Sequence, residues 1–273
     1  MSSPERRQRA AERAVEIITF QALGAPVKGY LQEDYDTLAA HKVRPTVVIC
    51  PGGAYRWRSP REKDAPAFEF LSMGYQAFIL GYSCAEEAKE YRPLRELAEA
   101  VRQIRERHEE WHIDPEKIAV LGFSAGGHLA ASLGAFWNDP ELALPAQARP
   151  DALVLCYPVI STKEFAHEES AEWVSGGDEA VRDKLHLWDR VTADFPPTFL
   201  WHGGEDVSVP PENSLFLAVE LKKHGVPFEY HLFGSGAHGI STCTQEVETP
   251  DAVCRAWVPL CRTWLNRQFR YTP

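Results

Sequence analysis

Several things are scarce or missing in this chain, and each absence removes a class of protein. Its 273 residues contain no apolar run that approaches the ~20 residues a membrane-spanning helix needs, so no membrane partner is expected. The opening stretch Met1-Ser2-Ser3-Pro4-Glu5-Arg6-Arg7-Gln8-Arg9 is charged, and no apolar segment of signal-peptide length follows it. A cytoplasmic location is therefore the expectation. The six cysteines, Cys50, Cys84, Cys156, Cys243, Cys254 and Cys261, include no Cys-x-x-Cys pair. Cys50 and Cys156 lie in or beside apolar runs, where a reduced, buried thiol is usual, so neither zinc nor any other metal or cofactor is expected. A basic excess is also lacking: 29 Lys and Arg stand against 39 Asp and Glu, a formal net charge of −10. The basic residues are interleaved with acidic ones, which argues against a nucleic-acid partner, because phosphate binding needs a basic face. No linker-like stretch divides the chain, and residues 1–273 read as one domain.

What is present is an alternation of two patterns. Short apolar or β-branched runs occur at Val15 to Phe20, Thr46 to Cys50, Gln76 to Leu80, Ile118 to Leu121, Ala152 to Tyr157, Thr198 to Trp201 and Phe228 to Phe233. They read as strands, mostly buried on both faces. Between them fall helical stretches: Pro66 to Met73, Pro93 to Trp111, Gly126 to Trp137, Pro211 to His224 and Asp251 to Phe269. In the second of these, Leu94, Leu97, Val101, Ile104 and His108 recur at helical spacing. Strands alternating with helices predict an α/β fold with a mainly parallel sheet covered on both faces. Residues 161–191 break the rhythm, with Phe165, Trp173, Leu185, Leu187 and Trp188 among many charges and no strand signal. The segment is too long for a plain connection and reads as a small helical insertion, either a lid over a pocket or a surface excursion with its own minor core.

Chemistry concentrates at Gly122-Phe123-Ser124-Ala125-Gly126, placed after the apolar run Ile118 to Leu121 and before a helical stretch. Gly-x-Ser-x-Gly at a strand-to-helix turn is the pattern of a nucleophile elbow: the tight turn needs almost no side chain two positions either side of the serine. Ser124 would then stand at the helix N-terminus with the Ala125 amide beside it. A serine hydroxyl is a weak nucleophile at neutral pH, so a base and an orienting acid are required downstream. His238, in Gly234-Ser235-Gly236-Ala237-His238-Gly239 after the last strand, is the candidate base. The acid should follow the preceding strand, where Glu205 and Asp206 are adjacent; Asp206 is the choice and Glu205 the alternative. Of the other histidines, His128 reads as a packing or capping residue. The loop Cys50-Pro51-Gly52-Gly53-Ala54-Tyr55 ends an early strand, and its small residues suit main-chain donors to an oxyanion. Gly53 and Ala54, with Ala125, are the candidate oxyanion hole. Tyr55, Trp57 and the aromatics between Trp173 and Trp188 are candidates for lining a pocket, or else ordinary core and surface residues.

The order Ser, Asp, His resembles that of the serine α/β-hydrolases, in the esterase and lipase group. Within that group the chain is similar to the branch of acetyl-xylan and feruloyl-type esterases and proteins labelled sugar hydrolases. The resemblance is carried by Pro51 to Tyr55, Arg61-Glu62 with Phe70 to Gly74, Ile113-Asp114-Pro115 to Ile118, Gly122 to Leu129, Pro196 to His202 with Asp206 and Val209-Pro210, and His238-Gly239. It spans nearly the whole chain from about residue 15. The oxyanion loop departs from the lipase pattern, beginning with Pro51 instead of histidine and closing with Ala54 instead of a third glycine. The resemblance implies an α/β-hydrolase fold and a cofactor-independent serine carboxylesterase acting on small-molecule short-chain acyl esters, O-acetyl groups of carbohydrates among them. Such a protein would act as a monomer or homodimer. Arylformamidases share the same loop and elbow, which keeps a formamide substrate open. A non-catalytic ligand-binding protein on this fold, or an acyl transferase, are the rival readings.

Overall fold

The computed structural model describes residues 15–32 and 43–273. The N-terminal stretch read above for location lies outside the described residues.

The apolar runs assemble into one eight-stranded sheet: β1 (Val15–Ala22), β2 (Ala25–Gln32), β3 (Arg44–Cys50), β4 (Gln76–Leu80), β5 (Ile113–Phe123), β6 (Ala152–Cys156), β7 (Thr198–Gly203) and β8 (Phe228–Phe233). Their spatial order is β1-β2-β4-β3-β5-β6-β7-β8. β1 pairs antiparallel with β2, and β2 antiparallel with β4. From β4 to β8 every pairing is parallel. The central strands β3 to β7 are buried almost throughout, which is why they read as continuous apolar runs.

Among the described residues seven α-helices occur, in chain order α1 (Asp64–Ser72), α2 (Arg92–Glu106), α3 (Ala125–Phe136), α4 (Glu168–Ser175), α5 (Glu179–Lys184), α6 (Glu212–Lys223) and α7 (Trp257–Gln268). Leu94, Leu97, Val101 and Ile104 of α2 pack with α3 and α6 on one face of the sheet. Ala67 and Phe70 of α1 pack with Trp257, Cys261 and Leu265 of α7 on the other. The helical stretch expected to run to Trp111 ends instead at Glu106. His108 falls in the turn beyond it, and Trp111 leaves the helix to pack against Phe20 and Phe78, at ring-centroid distances of 5.4 and 5.3 Å. Aromatic burial outweighs the continuing helical spacing there.

β2 was absent from the expected strands. Pro26 and Gly29 within it resemble turn punctuation, yet Gly29 serves packing: a Cβ at that position would meet the Phe78 ring of β4 at 2.7 Å. A neighbouring ring occupies the space that a side chain would need.

The insertion is helical, as expected, and consists of α4, α5 and the short turn that follows. It is not loosely attached. Val174, Leu185 and Leu187 are buried in the same apolar cluster as α2 and α3. Asn213 of α6 accepts hydrogen bonds from the Ile160 and Ser161 amides at 2.9 and 2.8 Å, which fixes the point where the insertion leaves the sheet.

Candidate active site

The sharp turn between β5 and α3 puts Ser124 at φ 53° and ψ −120°, a conformation a side-chain-bearing residue rarely adopts. Holding it costs on the order of 1–3 kcal/mol, and the surroundings supply the restraint. The Ser124 amide donates to the Cys156 carbonyl at 3.0 Å, and the Ser124 carbonyl accepts from His128 and Val159, each at 3.1 Å. The flanking glycines are required by contact: a Cβ on Gly122 would strike the Gly126 carbonyl, and one on Gly126 would strike the Cys50 carbonyl. Both residues are places where two backbones touch.

His238 sits in the loop after β8, with its Nε2 2.7 Å from Ser124 Oγ. Its Nδ1 lies 2.7 Å from Asp206 Oδ2, at the end of β7. Glu205 is exposed and Asp206 buried, so Asp206 is the carboxylate that reaches the imidazole. Its other oxygen, Oδ1, accepts from the Ser208 and Val209 amides at 3.0 and 2.9 Å. Burial alone would raise the Asp206 pKa, but hydrogen bonds from His202 and His238, the charge of His238 and the Val209 amide outweigh it. The carboxyl is held well below the ordinary carboxylate range and is ionised at neutral pH. His202 is fully buried beneath it: Nε2 donates to the Val209 carbonyl at 2.9 Å and lies 3.3 Å from Asp206 Oδ2, while Nδ1 accepts from the Ser214 hydroxyl at 2.7 Å. The sequence carried His202 only within the Pro196 to His202 stretch of the resemblance, with no role, and nothing in its spacing marks it out among ten histidines.

The loop after β3 runs against the elbow. Gly52 lies so close that a Cβ there would meet Ser124 Cβ and the Phe123 carbonyl, both at 2.9 Å. Its own amide is occupied, donating to Glu62 Oε2 at 2.8 Å. Gly53 has φ 125°, a region that favours glycine, and Ala54 and Tyr55 follow at φ 57° and 59°. The Gly53 carbonyl accepts from Arg56 and Trp57 at 2.9 and 3.1 Å, closing the turn. Within the described residues the Gly53, Ala54 and Ala125 amides make no hydrogen bond. Three donors are thus left unspent, one at the start of α3 next to Ser124 and two on the loop whose Gly52 touches it.

Of the two aromatics expected to line a pocket, the structure separates one from the other. Tyr55 is 1% exposed, and its hydroxyl donates to His128 Nδ1 at 2.9 Å. Its side chain faces the core, so the expectation of a pocket-lining Tyr55 is corrected to that of a buried strut. Trp57 is 54% exposed. With Ser59, Arg61, Asp64, Val247 and Glu248 it lines an open pocket of about 510 Å³. That pocket is lined from residues 57–65 and 246–248, and neither Ser124 nor His238 is among its lining residues.

His128, expected to pack or cap, does more. Its Nε2 donates to the Leu185 carbonyl of the insertion at 3.0 Å while Nδ1 holds Tyr55, so one neutral imidazole joins the insertion, α3 and the loop after β3. Desolvation lowers its pKa to about 4, against a smaller raising effect of the Leu185 carbonyl. A second buried centre, Glu62, was carried in the sequence only as part of the Arg61-Glu62 resemblance. Among the described residues no group of His, Cys, Asp and Glu side chains is arranged to hold a metal ion.

Comparison with known proteins adds a family. The BD-FAE family model matches residues 35–221. Over 213 residues the chain is 33% identical to endo-1,4-beta-xylanase B of Butyrivibrio fibrisolvens, covering 74% of this chain and 33% of the xylanase. It is 25% identical over 201 residues to an acetylxylan esterase of Xylanibacter ruminicola, covering 71% of this chain and 40% of that protein. The chain therefore spans between a third and two fifths of the length of these curated relatives. Among solved structures, an acetyl ester-xyloside bifunctional hydrolase from Caldicellulosiruptor lactoaceticus superposes with a TM-score of 0.80 at 36% identity, covering 91% of this chain and 89% of the other. On the strength of the family match and this strand order, the chain belongs to the BD-FAE family and has the α/β-hydrolase fold.

Proposed function

We propose that this protein is a carboxylic ester hydrolase that removes short acyl groups, with O-acetylated carbohydrates as the natural substrate class, through an acyl-enzyme on Ser124. The observation that carries the reading is the unbroken relay of two 2.7 Å contacts from Ser124 Oγ through His238 to the buried Asp206 carboxylate. As Ser124 Oγ bonds to the ester carbonyl carbon, its proton passes to His238 Nε2. Asp206 accepts the Nδ1 hydrogen, fixing the tautomer and stabilising the imidazolium. The carbonyl oxygen becomes an oxyanion and takes hydrogen bonds from the Gly53, Ala54 and Ala125 amides. Collapse of the tetrahedral intermediate breaks the bond to the leaving alcohol, which receives the proton from His238. A water molecule then repeats the sequence on the acyl-enzyme, giving the carboxylic acid and free Ser124.

The carbohydrate assignment draws support from the acetylxylan esterase and the acetyl ester-xyloside hydrolase among the similar proteins. It draws further support from the Trp57 pocket, where an exposed indole stands beside Arg61, Asp64 and Glu248, a mixture of apolar face and polar rim that suits a sugar ring.

The test is hydrolysis of a chromogenic acetyl ester by the wild type and by Ser124→Ala. The substitution should lower kcat by about 10⁶-fold, and equal rates would end the reading. A panel crossing acyl length with sugar, aryl and formamide leaving groups then assigns the substrate. Preference for acetylated sugars is expected, and a preference for the formamide would replace the ester assignment.

A further inference from the structure

Glu62 is a carboxylate with no place in the relay just described, yet it is 2% exposed and both of its oxygens are engaged. Oε2 accepts the Gly52 amide hydrogen at 2.8 Å, and Oε1 accepts the Tyr157 hydroxyl hydrogen at 2.6 Å. The Tyr157 oxygen in turn accepts the Ser241 amide at 2.8 Å. A buried anion with no cationic partner among its hydrogen bonds is costly, and such groups persist where they hold something in place.

What Glu62 holds are the two loops that do the chemistry. Gly52 opens the oxyanion loop and lies between the Glu62 carboxylate and Ser124: a Cβ on Gly52 would meet Glu62 Oε2 at 2.8 Å on one side and Ser124 Cβ at 2.9 Å on the other. Ser241 is three residues beyond His238, on the same loop. Its hydroxyl donates to the carbonyl of Arg61, next to Glu62, at 2.6 Å, and its carbonyl accepts the Trp257 indole hydrogen at 3.0 Å. The Tyr157 ring meets the His238 ring edge to face, at a centroid distance of 5.2 Å. Taking up the Gly52 amide also keeps that donor turned away from the reacting centre, leaving Gly53 and Ala54 as the free donors of the loop.

Resting on the esterase reading above, we propose that Glu62 is a positioning residue, whose buried carboxylate clamps the oxyanion loop directly, and the histidine loop through Tyr157, in the geometry that the tetrahedral intermediate requires. It touches neither substrate nor the reacting atoms. Its contribution is realised in the transition state, when the oxyanion forms, and is small in the ground state.

The experiment compares wild type, Glu62→Ala, Glu62→Gln and Tyr157→Phe on a chromogenic acetyl ester, with thermal unfolding measured for each. Glu62→Ala should lower kcat roughly 100-fold with KM within about threefold, the pattern of a lost transition-state interaction. Its Ki for a phenylboronic acid, which forms a tetrahedral adduct on the serine, should rise by a similar factor. Glu62→Gln can accept from one of the two donors only and should recover part of the loss. Tyr157→Phe keeps the Gly52 contact, leaves the Ser241 amide without its acceptor and should lose roughly tenfold. Should Glu62→Ala fail to fold, the Gln and Phe variants decide, because each retains the shape of the site. Wild-type kcat in folded Glu62→Ala, or in both milder variants, overturns the assignment; so does a kcat loss that only follows the folded fraction, without a change in boronate affinity. An inactive wild type, or an active Ser124→Ala, counts against the esterase reading instead.

Discussion

Asp206 and Glu62 are buried carboxylates driven in opposite directions, and the difference is whether donors and the His238 charge outweigh burial. Burial raises both. Asp206 receives two imidazoles and two amides and ends below the ordinary range, while for Glu62 complete burial outweighs the Tyr157 and Ser59 hydroxyls, the Gly52 amide and the charge of His238, and it stays above that range. Replacing Asp206 by Asn retains shape but presents an amide NH₂ where Nδ1–H needs an acceptor, and the imidazole can then be held in the wrong tautomer. Asp206→Asn should lower kcat by about 10⁴-fold with little change in KM, measured by steady-state kinetics. His128 gives a prediction about stability. Its folded pKa of about 4 lies below the ~6.5 of an unfolded histidine. Between those values the unfolded chain binds a proton that the native state refuses, so stability rises with pH across the window. The contribution is complete above about pH 6.5 and is lost as pH falls toward about 4, with a ceiling of about 3.5 kcal/mol at ~1.4 kcal/mol per unit. Glu62, with a raised pKa, has the opposite sign: the native state holds its proton longer, and its stabilisation declines as pH rises. A variant comparison separates the two. Urea unfolding at about pH 7 and pH 4.5 should show wild type losing stability that His128→Gln does not lose, and equal losses would contradict this account. Of these groups, Asp206 was legible because a carboxylate after β7 has a role in the Ser, Asp, His order. Glu62 reaches Tyr157, 95 residues away, which no local pattern encodes. His202 bonds to groups within 12 residues, but a buried histidine supporting an acid has no spacing of its own among ten histidines.

At the scale of elements, what was legible followed from periodicity. The central parallel strands are buried on both faces and so appear as apolar runs, and the elbow appears because its glycines are fixed by backbone contact. Where tertiary contacts override local signals, the reading failed. β2 carries Pro26 and Gly29 inside a strand because Phe78 fills the space over Gly29, and α2 stops short because Trp111 is drawn to Phe20 and Phe78. Tyr55 has the sequence position of a pocket residue, but its hydroxyl is bound by His128, a partner 73 residues away. The elbow also gives a test of element packing. Gly126 lies in α3, where alanine is ordinarily the better helix former by about 1 kcal/mol. Here the added methyl would run into the Cys50 carbonyl, so β3 and α3 would have to separate. Gly126→Ala should therefore destabilise, by about 1–3 kcal/mol or more, despite its helix propensity. It should also lower kcat, since the same contact places the oxyanion loop beside Ser124. Thermal unfolding with acetyl-ester kinetics checks both, and a gain in stability would contradict the contact argument.

At the scale of the whole molecule, the question is whether residues 161–191 form a lid free to move or a part of the core. Three observations join them to the rest. Val174, Leu185 and Leu187 are buried in the cluster that contains α2 and α3. The Leu185 carbonyl receives His128, which holds Tyr55 of the oxyanion loop. Asn213 of α6 fixes the departing chain at Ile160 and Ser161. A segment tied at both its apolar side and its polar ends should unfold with the body it is tied to. Leu185→Ala removes buried side chain at the junction and should cost about 2–5 kcal/mol, depending on how far the site collapses. The test of unity lies in the shape of the transition more than in its midpoint. Trp173 and Trp188 are two of eight tryptophans, so the fluorescence removed by Trp173→Phe with Trp188→Phe reports on the insertion, whereas far-ultraviolet dichroism reports on helices throughout the molecule. In urea the two signals should coincide for both wild type and Leu185→Ala, each displaced together by the substitution. An earlier fluorescence transition, moved by Leu185→Ala while the dichroism midpoint stayed fixed, would mean that the insertion opens by itself. Substrate access would then be governed by that local opening, and the contacts of Leu185 with His128 would act as its latch.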